Sequence, residues 1–229
     1  MSLEAELERA RDLSVGDLAD AIESIGFECT RCGACCKAVE GDDTDREDHT
    51  ATVFPDEVRR LQDAGDYDWR DVARPMPYGL TEGADGPAGE TFEWALGTDA
   101  CGDCVFYRED DDDGTGACSV HGDRPLICRT YPFSVVLEGD DETPLAQPMG
   151  AAVDREGAVL AHECEGLGRN IEREDAEDLA AALKQRAVRE LEEAIAVRDR
   201  HEPRPDADGV VVHDSEGPKR PDGTPLDSR

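Results

Sequence analysis

Apolar residues at three- and four-residue steps open the chain. Leu3 and Leu7, then Leu18, Ile22 and Ile25, form the stripes of two short helices predicted over 3–12 and 15–25. Ser14 stands where it can cap the second helix, with Asp17 at the third helical position, and Gly26 ends it. Residues 41–50 are acidic and read as a surface loop. Ala51–Phe54 reads as a short strand. Pro55-Asp56-Glu57-Val58 starts a helix to about Ala64, because proline in a first turn gives up an amide that has no intrahelical partner there. Residues 66–89 carry several prolines and glycines and read as loop, and Thr91–Leu96 alternates as a strand does.

Beyond Cys104 the pattern predicts strands at Val105–Tyr107 and Ala117–Val120 with an acidic turn between them. A short helix follows Asp123-Arg124-Pro125 and stops where Pro132 biases Tyr131 away from helical geometry. Phe133–Leu137, Ala146–Val153 and Ala158–Ala161 suit a small antiparallel sheet. Residues 171–200 carry the longest helical pattern, with Leu179, Leu183, Leu191 and Ile195 on one stripe. The fold class expected is α+β: a small irregular metal-centred domain with short antiparallel strands, N-terminal helices and one long C-terminal helix. Its bounds are 1–202, with a motif core over 27–168. The Pro-, Asp- and Gly-rich segment 203–229 is expected to be a disordered tail, apart from a short β-prone run at Gly209–His213.

Composition sharpens this picture. Leu, Ile, Val and Phe make up 42 of 229 residues, few enough that the chain cannot rely on a large apolar core. The formal net charge is −32, and only Lys37, Lys184 and Lys219 are lysines while 21 residues are arginine. An acidic, arginine-over-lysine surface is expected of a protein working in a salt-saturated cytoplasm, where molar salt cuts the Debye length to roughly 3 Å and screens self-repulsion, the alternative being an acidic interaction protein of an ordinary cell. So negative a field excludes nucleic acid as a partner, because phosphates are repelled. No apolar run is long enough to span a membrane, and the first residues lack the basic and apolar regions of a signal peptide. A cytoplasmic protein is expected, with a protein or small-molecule partner that the sequence does not name.

Nine cysteines stand against this background. An odd number, clustered in a reducing compartment, points away from a disulfide framework and toward metal. Cys29-x2-Cys32-x2-Cys35-Cys36 is the strongest signal, since two-residue spacing lets one tight turn aim two sulfurs at one ion. The bacterial ferredoxin run and the radical-enzyme run both fail, because position 39 is Val rather than Cys. Adjacent Cys35 and Cys36 are awkward ligands for one tetrahedral ion, so they are expected to serve different ions or to divide into one ligand and one neighbour. A rival arrangement pairs Cys29 and Cys32 with Cys101 and Cys104 as a zinc ribbon, across an intervening segment far longer than such ribbons carry.

The second group adds Cys104-Val105-Phe106-Tyr107, then Cys118-Ser119-Val120-His121, then Arg124-Pro125-x2-Cys128-Arg129-Thr130-Tyr131-Pro132-Phe133, and finally Cys164-Glu165-Gly166-Leu167-Gly168. Together with Phe27-x-Cys29-x2-Cys32-Gly33-x-Cys35-Cys36, this order resembles the YkgJ-type cysteine-cluster family, the CxxCxxCC domain associated with zinc or iron chelation. The resemblance implies eight metal-binding cysteines: Cys29, Cys32, Cys35, Cys36, Cys104, Cys118, Cys128 and Cys164. Cys101 is extra to that set. Eight thiolates suit two four-ligand sites, or an iron–sulfur cluster beside a second metal, and thiolate sets accept either zinc or iron–sulfur. The mixed spacing leans to iron–sulfur, with Zn²⁺ left open.

Other features have plainer readings. Cys101-Gly102-Asp103-Cys104 could act as a redox dithiol but lacks the strand-then-helix context. His121 and His162 lie near cysteines and are candidate substitutes for a ligand, though ordinary polar contacts are the commoner role. Trp69 and Trp94 read as core or cover. Lys37 and Arg129, each next to a cysteine, are candidate residues around the cofactor, where positive charge favours thiolate. No nucleotide-, hydrolase- or metalloprotease-type motif is present. The function expected is metal binding, in electron transfer or metal handling, with a cluster-dependent enzyme and a structural-zinc scaffold as alternatives.

Overall fold

The computed structural model describes residues 2–40, 46–83, 86–110, 112, 114–137, 150–205 and 207–226. Parts of the expected loop 41–50, of the acidic run 110–113 and of the strand at Ala146–Val153 lie outside them. The architecture is mixed α+β with short, mostly antiparallel sheets and one long helix near the C-terminus. No described helix is long and apolar enough to cross a membrane. The chain divides into two units that each gather several separate segments, rather than into one domain ending at 202 followed by a tail.

The first unit comprises Met1–Cys36, Tyr107–Ser119 and Leu126–Glu192. Its first two helices, Leu3–Asp12 and Val15–Ile25, begin at serines whose hydroxyls accept from the amides of Ala5 and Asp17. Each satisfies a donor that the helix itself leaves open. Leu18, Ala19, Ala21 and Ile22 give the second helix a buried face, set against a three-stranded sheet of Phe133–Val135, Val159–His162 and Ala152–Glu156. Val159–His162 is the central strand, antiparallel to both neighbours, with Phe133 opposite Ala161 and Val135 opposite Val159. The helix Arg173–Arg200 runs from this unit into the second, and Ala176, Ala180, Leu183, Ala187 and Leu191 line its buried stripe. Small residues there let the helix approach closely. Arg186 is also buried, and its guanidinium is held by Glu190 at 2.7 Å, the Thr130 hydroxyl at 3.0 Å and the Phe133 carbonyl at 3.2 Å.

The second unit comprises Lys37–Phe106, Val120–Pro125 and Glu193–Arg229. The helix Pro55–Ala64 starts on its proline as expected, with Glu57 reaching back to the amide of Phe54. The strand expected at Thr91–Leu96 is instead two, Gly86–Phe92 and Trp94–Leu96, separated by Glu93 at φ 68°. That left-handed residue turns the chain out of one sheet and into another. Trp94–Leu96 is the centre of a three-stranded sheet with Thr52–Val53 and Ala73–Pro75, and Gly86–Phe92 belongs to a four-stranded one.

The expectation of a disordered segment from 203 is overturned. Val210–Asp214 and Gly217–Lys219 are strands, and the first pairs in parallel with Gly86–Phe92, Val211 opposite Glu90 and His213 opposite Phe92. Val211, Val212, His213, Asp214 and Lys219 are buried. Asp214 accepts from the Trp94 indole at 2.8 Å and pairs with Lys219 at 2.7 Å, while Lys219 also sits 5.3 Å over the Trp69 ring. Trp69 and Trp94 meet edge to face at 5.0 Å, as core residues. Averaged over 27 residues the composition looks soluble, yet three consecutive valines make a strand once a partner more than a hundred residues away supplies the sheet edge.

Candidate metal centre

The turn carrying the first cysteines is delivered by the helix Val15–Ile25 and pinned by backbone bonds. Gly26, at φ 78°, ends the helix. Phe27 then pairs antiparallel with Leu167, the Glu28 amide donates to the Gly166 carbonyl at 3.0 Å, and the Gly168 amide donates to that of Gly26 at 3.0 Å. This short ladder brings Cys164-Glu165-Gly166 beside Cys29. Gly166 is required: a Cβ there would stand 2.2 Å from the Glu28 carbonyl oxygen. Phe27 anchors the ladder by packing edge to face on Phe133, ring centres 5.7 Å apart.

The next residues fold against the hairpin Tyr107–Glu109/Gly116–Cys118. Arg31, at φ 59°, donates through Nε to the Gly116 carbonyl at 2.9 Å, and the Gly116 amide returns a bond to the Arg31 carbonyl at 2.7 Å. Gly33 adopts φ 77° directly under the Tyr107 ring, where a Cβ would lie 2.2 Å from the hydroxyl. A short 3₁₀ turn, Ala34–Cys36, completes the run.

Within this frame four thiols are electrostatically coupled. Burial pushes the Cys164 thiol up, the Gly166 amide donating to its sulfur at 3.4 Å pulls it down, and negative charge on Cys32, Cys35 and Cys29 raises it further. The Tyr131 phenol is likewise pushed well above its ordinary value, first by burial and then by Cys164, Cys35 and Cys32. Its hydroxyl donates to the Glu163 carbonyl, next to Cys164. Cys29 is exposed, while Cys32, Cys35 and Cys164 are partly covered. The sulfurs of Cys35 and Cys36 lie 3.9 Å apart. Two thiolates on one tetrahedral ion with bonds of about 2.3 Å are separated by roughly 3.8 Å, so adjacency does not force these two cysteines apart as the sequence suggested. Among the described residues no three cysteine sulfurs come within 4.8 Å of one another.

The other predicted residues are placed as follows. Cys118 lies on the hairpin strand two residues from Gly116, hence on the same face, and Cys128 lies in the five-residue helix Leu126–Thr130. Cys104 is buried in the second unit, bridged to Thr98. Cys101 is exposed, with its amide on Asp99. Arg129 is exposed and makes no hydrogen bond or ion pair with any described residue. The charge of Lys37 falls on Asp103, whose carboxyl is held below its usual range chiefly by the Ala38 amide, with Arg46 and Lys37 adding to it. His162 faces Ser134 at 2.8 Å and the Gly150 carbonyl at 3.2 Å, the polar contacts of a buried core histidine. Tyr131 was missed as a site residue, although it sits in the Arg129-Thr130-Tyr131-Pro132 run that carried the resemblance.

Thiolates are donors that both zinc and iron accept, and the segment spanning these four decides the family. Residues 28–165 match CxxCxxCC, described as "Putative zinc- or iron-chelating domain". The chain belongs to the CxxCxxCC family. The matched segment runs from the residue before Cys29 to the residue after Cys164, so every cysteine falls inside it. No curated protein and no solved structure matches the chain.

Proposed function

We propose that Cys29, Cys32, Cys35 and Cys164 form one four-thiolate centre for zinc or iron, and that this CxxCxxCC domain binds and hands on metal. The observation that carries the reading is the Cys164 thiol, brought by the 26–28/166–168 ladder into the charge of the three CxxCxxC sulfurs. Four thiolates neutralise and enclose a soft or borderline ion, whereas none of them gains from facing the others as bare charges. Binding draws the sulfurs in to a common ion. Cys36, at the side of Cys35, and Cys118 and Cys128 of the same unit extend the donor set. The exposure of Cys29 leaves one side of the centre open to exchange.

The test is anaerobic purification with zinc, iron and sulfide measured on one sample, for the wild type, Cys164→Ser and Cys101→Ser. Cys164→Ser is expected to weaken metal retention at least tenfold, and Cys101→Ser to leave it unchanged. Sulfide in step with iron identifies a cluster, and zinc without sulfide a mononuclear site. Retention of metal by Cys164→Ser at wild-type affinity overturns the proposal.

A further inference from the structure

A second set of metal-binding groups lies in the unit that the cysteine turn does not belong to. Glu90, His201 and His213 each offer one ligand atom, and the three atoms lie within 4.8 Å of one another. They come from three places in the sequence. Glu90 is on the strand Gly86–Phe92, His213 on the strand paired in parallel with it, and His201 follows the last residue of the long helix. The rings of His201 and His213 meet edge on at 4.6 Å, and Phe92 lies against both, at 5.2 and 5.5 Å.

We infer that Glu90, His201 and His213 form a mononuclear two-histidine, one-carboxylate site for a borderline divalent ion such as Zn²⁺ or Fe²⁺. A plain structural hydrogen bond accounts for part of the arrangement, since His213 Nε2 and Glu90 Oε2 are 2.7 Å apart. It does not account for the rest. His213 is 1% exposed, and its Nδ1 is buried with no hydrogen-bond partner among the described residues. Glu90 Oε2 already serves the Arg204 amide at 2.9 Å as well as His213, which leaves Oε1 without a partner in that set. His201 contributes a third donor whose placement against another imidazole gains nothing from a hydrogen bond.

Two imidazoles and a carboxylate are a borderline donor set that suits zinc and non-haem iron better than the hard ions. Ligand bonds of about 2.0–2.2 Å put neighbouring donor atoms roughly 3–3.5 Å apart, so the present spread closes by an ångström or so on binding. In the hydrogen-bonded form the Nε2 proton of His213 lies toward Glu90; with an ion in its place, the neutral ring carries its proton on Nδ1. Three protein ligands leave at least one coordination position for water or a small anion.

Co²⁺ is the probe, because cobalt on thiolates gives intense sulfur-to-metal charge-transfer absorption and cobalt on imidazole and carboxylate gives only weak visible bands. The full chain is titrated anaerobically in molar potassium chloride, which screens loose binding to the acidic surface. Wild type is expected to bind one Co²⁺ that adds visible bands without thiolate charge transfer. His201→Ala removes an exposed side chain, so the fold is retained and thermal unfolding is unchanged. It should weaken that one equivalent at least tenfold while the thiolate bands keep their wild-type intensity. Glu90→Gln should do the same. If both variants bind Co²⁺ with wild-type stoichiometry and affinity, or if all bound cobalt carries thiolate bands, the site does not exist. Because the two kinds of ligation absorb differently, this result is independent of the outcome for the cysteine centre.

Discussion

The two clusters of chemistry in this chain were legible to different degrees, and for opposite reasons. The cysteine turn announces itself in eight residues of sequence, but its geometry depends on loops held by glycines and by a two-strand ladder. The Glu90–His201–His213 set carries no local signature at all, yet it stands on two hydrogen-bonded strands and the end of a long helix. Spacing along the chain reveals ligands when a turn presents them. It is silent when a sheet does, because the partners in a parallel pair can be any distance apart in sequence.

The sharpest way to break this comparison is to remove the C-terminal strands. Deleting residues 209–229 takes away Val211, Val212, Asp214 and Lys219, exposes an edge of the strand Gly86–Phe92 and leaves the Trp94 indole without its acceptor. The second unit is expected to lose its cooperative unfolding transition outright, while cysteine-bound metal survives in the first. Differential scanning calorimetry with metal analysis on the same sample checks both halves. A truncated chain with a wild-type thermogram would return this segment to the status of a dispensable tail.

Next in size is Gly166→Ala. The added carbon meets the Glu28 carbonyl oxygen at 2.2 Å, and because that oxygen is backbone the ladder must open. The cost is about 3 kcal/mol, at the upper end for overpacking, and metal affinity should fall with it. Gly168→Ala is the control: at φ 75° but with nothing within 4 Å, it should cost only about 1 kcal/mol from backbone strain and leave the metal in place. Equal effects at the two glycines would mean that the close approach of Gly166 does not set the cysteine geometry.

Much of the fold could be read from the chain because local rules decided it. The second helix begins at the serine that caps it, the third starts on Pro55, and the short helix ends before Pro132. What stayed hidden was decided by distant partners. Glu93 looks like a strand residue until the φ of 68° splits its strand between two sheets. Arg186 looks like a surface arginine on a charged helix until Glu190, Thr130 and Phe133 surround it. Of the thiols proposed as one centre, spacing alone singles out Cys29, Cys32 and Cys35, with Cys36 beside them. Cys164, over a hundred residues away, came through the family pattern, and Tyr131 came only with the fold.

A pH titration sharpens the comparison from the second unit. His49 is buried, and burial, with the Arg74 cation adding to it, lowers its pKa to about 4. The unfolded chain takes up the proton near pH 6.5, well before the folded one does. The stability this histidine contributes is therefore complete above pH 6.5 and is lost as the pH falls toward 4, by roughly 3 kcal/mol in total. His49→Gln should flatten that part of the pH dependence in the second unit and leave the first unit's profile alone. Parallel curves for wild type and variant between pH 6.5 and 4 would show that His49 does not carry the linkage.

The smallest effect expected is at Ser14. Its hydroxyl accepts from the Asp17 amide at 3.2 Å and caps the helix that leads into the cysteine turn. Ser14→Ala leaves that amide to water and should cost about 1 kcal/mol, the ordinary value for an N-cap serine. Along the chain the helix reaches Cys29 through Gly26, Phe27 and Glu28, and those residues are tied independently to Gly168, Leu167 and Gly166. Loosening the first turn of the helix, more than ten residues away, therefore leaves the turn where it is. Unfolding of the first unit should shift by that 1 kcal/mol, with the second unit and the affinity for metal unchanged. If metal affinity falls in proportion to stability, the cysteine geometry is set by the helix that precedes it rather than by the ladder to 166–168, and the contrast drawn between Gly166 and Gly168 must be redrawn around the helix.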